Sequence, residues 1–412
     1  MKRSSKLASL ALIDIALGFG IQAIVLLTVG VGPETDAYYA GQAPTLVLLA
    51  IFQLPLQRAL VAAFAERESA TYPAYKLYLV VVLALGFVVA VLGALAPFVV
   101  PLAFPGLSPE TTEIAVSVLR VQGCAIVLMI GNLVWLSLNH VKGAFLKCEL
   151  ALAISSFISA VWVVATVDRF GVMSAAYAQV LKATLSGVAY YFFLRGAASW
   201  HTPPWQQIWS VVKPLSMAGS LSKLTPLVDR SIASAATSGS LTILVFAQTI
   251  YSAAVGVAER AIVAPRLPAL KRDPAAGVSF RVSFQLAVAG AMLVVALSLG
   301  TGVILQVPAV VSAFSAQTLK LLLESFILLA GLPIGTLAAQ WMAATMVFVG
   351  QSRLSARIMT WCFLLGIPVK ILGFELGGIR GLAVAMSCYY LASAVSLWLV
   401  LRRIGRQRRE PT

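Results

Sequence analysis

Gly171-Val172-Met173-Ser174-Ala175-Ala176-Tyr177-Ala178 opens an apolar run that ends at Leu194-Arg195. At an offset of 207 positions, Gly378-Ile379-Arg380-Gly381-Leu382-Ala383-Val384-Ala385 opens another, ending at Leu401-Arg402. A second pair repeats at nearly the same spacing: Gln57-Arg58-Ala59-Leu60-Val61-Ala62-Ala63 is echoed 202 residues on by Glu259-Arg260-Ala261-Ile262-Val263-Ala264-Pro265. Both offsets are close to half of the 412 residues, so the chain reads as two tandem copies of one unit. Each copy carries an arginine inside apolar sequence, and a charge in such a place is a functional hypothesis by default.

Composition sets the class. The chain is 60% hydrophobic with a mean hydropathy of +0.93 and 11% charged residues, well beyond the apolar share of soluble domains. Apolar runs of at least about 18 residues between turn signals number twelve. They cover roughly 7–31, 36–65, 77–102, 112–138, 147–167 and 171–194 in the first half, and 210–236, 241–265, 282–305, 320–349, 355–374 and 379–401 in the second. The expected fold is an all-α polytopic membrane protein, about twelve transmembrane helices in two pseudo-symmetric six-helix lobes around a central cavity. The expected division is a lobe over 1–196, a cytoplasmic linker over 197–209 containing Pro203 and Pro204, and a lobe over 210–412 with a basic tail. No loop is long enough for a soluble domain, which removes most enzyme architectures. Cys124, Cys148, Cys362 and Cys388 sit in apolar stretches without paired spacing, and His140 and His201 are the two histidines. Disulfides, zinc and His-based catalysis are therefore not indicated, and no cofactor or nucleic-acid partner is expected.

The net charge of +15 follows from topology. With the amino terminus inside, 20 of the 30 basic residues fall in cytoplasmic segments, ending with Arg402, Arg403, Arg406, Arg408 and Arg409, against three outside: Arg169, Lys320 and Arg380. Glu34, Asp36, Glu110, Glu113, Asp168 and Glu375 fall in the outer loops. Both termini are expected in the cytoplasm of a cell whose plasma (inner) membrane holds a monomer. The tail is expected to touch anionic phospholipids, at about 1 kcal/mol per basic residue.

Seven basic residues remain at membrane depth: Arg58, Arg120, Lys182, Lys223, Arg230, Arg260 and Lys370. Asp14, Glu149, Asp229, Glu259 and Glu324 are the acids there. An unpaired charge near the bilayer centre costs at least about 2.5–3.5 kcal/mol, so each must face protein, water or another charge. Seven of the twelve lie in the first two spans of each half: Asp14, Arg58, Lys223, Asp229, Arg230, Glu259 and Arg260. Those four spans are the natural walls of a polar cavity. Helical spacing adds Gln57 beside Arg58, a stripe of Gln248, Ser252, Gly256 and Glu259, and a face of Ser216, Ser220, Lys223, Arg230 and Ser234 on the seventh span. Competing readings stand beside these. Arg58 and Arg260 either face the cavity or snorkel to the cytoplasmic interface. Asp229 and Arg230 either line the cavity or form a local pair, and Glu259 either serves the site or neutralises an arginine. Glutamine and serine at such spacing also serve as inter-helix hydrogen bonds. Arg120, Glu149, Lys370 and Glu324 read as interfacial, and Lys182 has no evident partner.

The two six-helix halves, with their Gly-aliphatic-x-small-x-Ala-x-Ala stretches, resemble the multidrug/oligosaccharidyl-lipid/polysaccharide (MOP) exporter superfamily. Pro33-Glu34-Thr35-Asp36-Ala37-Tyr38-Tyr39-Ala40 is similar to MviN-type lipid II flippases, as are Asp229-Arg230-Ser231-Ile232-Ala233-Ser234, Ser238-Gly239-Ser240-Leu241 and Phe246-Ala247-Gln248. The resemblance implies a cationic cavity that opens alternately to each side and holds the pyrophosphate of a polyprenyl-linked sugar. The chain departs from that pattern where Gln248-Thr249 replaces an acidic-basic pair. It also ends near the twelfth span, without the two further C-terminal helices usual in MviN-type flippases.

Two functions follow as expectations. The first is a flippase, not an enzyme, that moves an anionic lipid-linked glycan, lipid II-like or a polysaccharide precursor, for cell-envelope synthesis. Two negative charges moving outward across about 100 mV would gain about 4.6 kcal/mol. The alternative is a Na+ or H+ coupled antiporter of the multidrug and toxin extrusion type, for which Asp14 and Glu259 are the candidate coupling acids. A membrane-embedded glycosyltransferase fits poorly, because no Asp-x-Asp or His-based constellation is present.

Overall fold

A computed structural model describes residues 2–65, 71–217, 221–258, 314–348 and 350–407, together with 285, 288, 290–292 and 294–295. The ninth predicted span, 282–305, falls almost wholly outside these residues, as do Glu259 and Arg260. The described chain is helical, with no strand among the described residues beyond an isolated bridge between Tyr72 and Ala198. It divides into two compact units, Met1–Met217 and Ala218–Thr412.

The first unit holds α1 (Lys2–Val29), α2 (Pro33–Ala65), α3 (Ala74–Ala103), α4 (Pro109–Val141), α5 (Phe145–Phe170), α6 (Met173–Leu194) and α7 (Trp205–Met217). The second holds α8 (Thr225–Ser234), α9 (Ser240–Ala258), α10 (Ala316–Leu328), α11 (Gly331–Phe348) and α12 (Ser352–Gln407). Eight stretches among the described residues are helical, long and apolar enough to cross a membrane, and the protein is a multi-pass membrane protein. In a bilayer every backbone polar group must be satisfied within the protein, and helices do so segment by segment. Wide apolar faces confirm the solvent: Leu83, Phe87, Phe98 and Leu102 on α3 and Phe157 and Val164 on α5 are exposed, positions that only hydrocarbon would cover without cost.

The units follow one plan. In the first, α4 packs on α2, α3 and α6, α5 packs on α6, and α1 lies on α5. In the second, α11 packs on α9 and α12, and α8 lies on α12. The fifth–sixth hairpin shows the duplication most directly. Gly171, between α5 and α6, has φ 52° and ψ −134°; Gly378, within α12, has φ 58° and ψ −139°. Only glycine adopts this region without strain, so the chain reverses at the same residue in both copies. α12 is thus two helices joined at Gly378, as the sequence predicts. Beyond the turn its arms close until a Cβ on Gly381 would meet the Gly373 carbonyl, so both positions require glycine.

The seventh predicted span, 210–236, is described in three pieces: α7 as far as Met217, a 3-10 turn over Leu221–Leu224 and α8 from Thr225, with 218–220 outside the described residues. α7 belongs to the first unit because Ile208 and Val212, one turn apart, bury into a core of Leu56, Leu60, Phe64, Leu77, Trp135 and Tyr190. Ser216 Oγ also donates to the Ile51 carbonyl at 3.3 Å. At the start of α8, Pro226 has no N–H for the Ser222 carbonyl, and Thr225 Oγ1 supplies the donor instead at 2.7 Å. Part of the predicted linker is structured too: Tyr72 N–H donates to the Ala197 carbonyl at 2.8 Å, and Ser199 N–H donates to the Tyr72 carbonyl at 2.6 Å.

Candidate functional site

Each unit contains an aspartate on its first helix bound by a lysine from its fifth–sixth hairpin. In the first unit Lys182 Nζ on α6 lies 2.7 Å from Asp14 Oδ1 on α1, and Ser156 Oγ on α5 donates to the same oxygen. The lysine that the sequence leaves without a partner therefore has an acid. In the second unit Lys370 Nζ lies 2.6 Å from Asp229 Oδ1 on α8. This pair is almost sealed, with side chains 2% and 1% exposed, against 22% and 20% for Lys182 and Asp14. The Lys370 ammonium also sits 4.2 Å from the centroid of the Tyr389 ring, whose hydroxyl is 3.3 Å from Thr225 Oγ1. In a desolvated place such a cation–π contact is worth about 2 kcal/mol.

These contacts correct two sequence readings. Lys370 is not interfacial; it is buried in the second unit, because an ammonium at that depth needs a carboxylate and an aromatic face. The salt bridge of Asp229 runs to Lys370 rather than to its neighbour Arg230, which is itself buried. A third pair, Arg380 with Glu324 at 2.7 Å, is largely exposed between α12 and α10.

The remaining candidates fall on less packed faces. On α2, Leu56, Ala59, Leu60, Ala63 and Phe64 enter the core, while Arg58 and Gln53 are exposed and Gln57 is half-buried. The helix thus carries a polar stripe opposite its packed side. On α9, Leu244, Ala247, Tyr251 and Val255 are buried, whereas Ser252 is exposed and Gln248 and Gly256 are half-buried. Gln248 Nε2 approaches Met386 Sδ at 3.7 Å. Lys223 is half-buried on the 3-10 turn. The single polar face expected along the seventh span assumes one regular α-helix; Lys223 sits on a 3-10 turn, and Ser220 lies outside the described residues. The sequence missed Lys370, Tyr389 and Ser156 as partners, although Tyr389 occupies the position 207 residues after Lys182 and so marks the same point of the repeat.

The Pro33-Glu34-Thr35-Asp36 stretch has a structural part. It starts α2 with proline in the first turn, and Thr35 Oγ1 accepts from Gly32 N–H at 3.0 Å, half of a capping box.

A bundle with this duplicated plan is the fold of MOP-superfamily transporters. The chain is similar to the lipid II flippase MurJ in an inward-closed conformation, with a TM-score of 0.76 and 16% identity over 97% of this chain and 90% of that one. It is also similar to an inward-facing multidrug resistance MATE family transporter of the MOP superfamily, with a TM-score of 0.70 and 17% identity over 97% and 98%. A MOP superfamily transporter from Pyrococcus furiosus, with a binding pocket of reversed polarity, matches at a TM-score of 0.57 and 18% identity over 99% and 97%. No protein-family model and no curated protein sequence matches the chain.

Proposed function

We propose that the protein is a transporter that flips a lipid-linked, pyrophosphate-bearing glycan between leaflets by alternating access, and that neither Asp14 nor Asp229 couples it to a cation gradient. One observation carries the preference over a cation-driven antiporter: both aspartates are already neutralised by lysines of their own unit. A coupling acid must take up and release Na+ or H+, and a fixed ammonium within 2.7 Å competes with either. The polar stripe of Gln53, Gln57 and Arg58 on α2 remains open to a ligand, and its charge suits a phosphate. The fold shared with the lipid II flippase MurJ supports the reading.

The test is depletion of the protein in its host, with the lipid-linked intermediates of the two leaflets separated. Accumulation of one such intermediate on the cytoplasmic side, rescued by the wild type but not by Arg58→Gln, is the expected result. Rescue has to persist when Na+ and proton gradients are dissipated.

A second reading has its own support in the similar fold of the multidrug MATE transporter. Under it Glu259 is the coupling acid. Glu259→Gln would then abolish efflux of cationic dyes, and no glycolipid would accumulate on depletion.

A further inference from the structure

Arg120, a membrane-depth cation of the first unit, has no acid among the described residues. Arg120 lies eleven residues past Pro109, where α4 begins, about 16 Å along the axis. Its guanidinium is exposed, and its one hydrogen bond among the described residues runs from Nε to the Gly93 carbonyl of α3 at 3.1 Å. That contact anchors one edge of the fork and leaves its Nη donors for another acceptor. An arginine so placed is costly unless an anion meets it.

The surroundings say what kind of anion. Gly86, Ala90, Gly93 and Ala94 draw the wall of α3 back from α4 and leave a hollow of about 600 Å³ beside Arg120. Leu128 is shared with a second hollow of about 440 Å³ that reaches Trp135, and Cys124 with a third of about 480 Å³. The hollow beside Arg120 is thus an apolar trough between α3 and α4, and the other two adjoin it at these shared residues. Exposed Leu83 and Phe87 flank it on α3, so it opens toward hydrocarbon rather than water.

We propose that this trough binds an anionic phospholipid of the leaflet at the Ser108 end, its phosphate on Arg120 and an acyl chain along the cleft between α3 and α4. Guanidinium presents paired donors that match phosphate oxygens. The apolar lining gives the chain a fixed path, and the site does not depend on which substrate is transported.

The test presents purified protein with equal amounts of phosphatidylglycerol and phosphatidylcholine of identical chains and counts bound lipid by native mass spectrometry. Wild type retains the anionic lipid by about fivefold. Arg120→Gln brings the ratio to about one, while Ala94→Trp, which fills the trough from an exposed position, lowers binding of both lipids. Arg169→Gln, another charge removal in the same unit, keeps the ratio. An unchanged ratio in Arg120→Gln, or wild-type binding of both lipids in Ala94→Trp, overturns the proposal. A second measurement needs no change at Arg120. A bimane on the exposed Cys124, in a Cys362→Ser/Cys388→Ser background, is quenched more by brominated phosphatidylglycerol than by brominated phosphatidylcholine, and equal quenching also overturns it.

Discussion

The two units solve one electrostatic problem with the lysine on opposite arms of the same hairpin. In the first, the ammonium comes from the arm after the glycine turn, eleven residues past Gly171. In the second it comes from the arm before the turn, eight residues ahead of Gly378, and the place eleven residues past the turn is taken by Tyr389, which covers the ammonium with its ring. Neutralising the first-helix aspartate is common to both copies, whereas the residue that does so is not. The second pair is also far more buried. The same pairing therefore carries a different energetic weight in each copy.

That difference is broken most sharply at Lys370. Lys370→Met strands the Asp229 carboxylate in a sealed site, and removing one partner of such a pair costs about 3–5 kcal/mol. We expect the largest fall in thermal midpoint in detergent of any single change discussed here. The double variant Asp229→Asn/Lys370→Met should recover most of that loss, because neither buried charge remains. A double variant as unstable as the single one would mean that packing around Tyr389, not charge, holds the site.

The turns test the symmetry from the backbone side. Gly171→Ala and Gly378→Ala should each cost about 1–3 kcal/mol, and by similar amounts. A Cβ at Gly171 meets Glu34 Oε2 at an ordinary 3.6 Å and one at Gly378 meets nothing within 4 Å, so backbone strain alone is measured. Unfolding in SDS, followed for both variants side by side, checks the equality. A large inequality would mean that the two hairpins are not mechanically equivalent.

These glycines mark how far the sequence reaches. The repeat at an offset of 207 was legible because both turns need the one residue with no Cβ, and the structure gives the two positions almost the same φ and ψ. Apolar runs located most crossings for a comparable reason, since the bilayer dictates length and hydropathy locally. The ion pairs were not legible. Asp14 and Lys182 are 168 residues apart and Asp229 and Lys370 are 141 apart, and which charges meet is decided by helix packing. Periodicity alone also assumed a regular helix along the seventh span. The spacing of Ser216, Lys223 and Arg230 describes one face only if the helix is continuous, and the chain turns to 3-10 at Leu221–Leu224 before the proline-led start of α8.

In the first unit the same disruption should be milder. Lys182→Met leaves Asp14 about one-fifth exposed and still held by Ser156, so about 1–2 kcal/mol is expected, between the values for exposed and buried pairs. The measurement is the ratio of the two losses, Lys370→Met over Lys182→Met, from unfolding curves in one detergent. A ratio near one would erase the distinction drawn from burial.

The smallest effect belongs to the exposed pair between α10 and α12. Arg380→Gln removes a contact whose arginine is 57% exposed, and exposed pairs contribute about 0–1 kcal/mol and weaken with salt. Its thermal midpoint should stay close to wild type and move closer still as ionic strength rises. Lys370→Met should respond to salt hardly at all, because ions do not screen a sealed site. Salt dependence thus separates a surface charge pair from an interior one without relying on the absolute size of either effect. If Lys370→Met regained stability in high salt, water and ions would have to reach Asp229, and the aspartate would again become a candidate for binding a mobile cation.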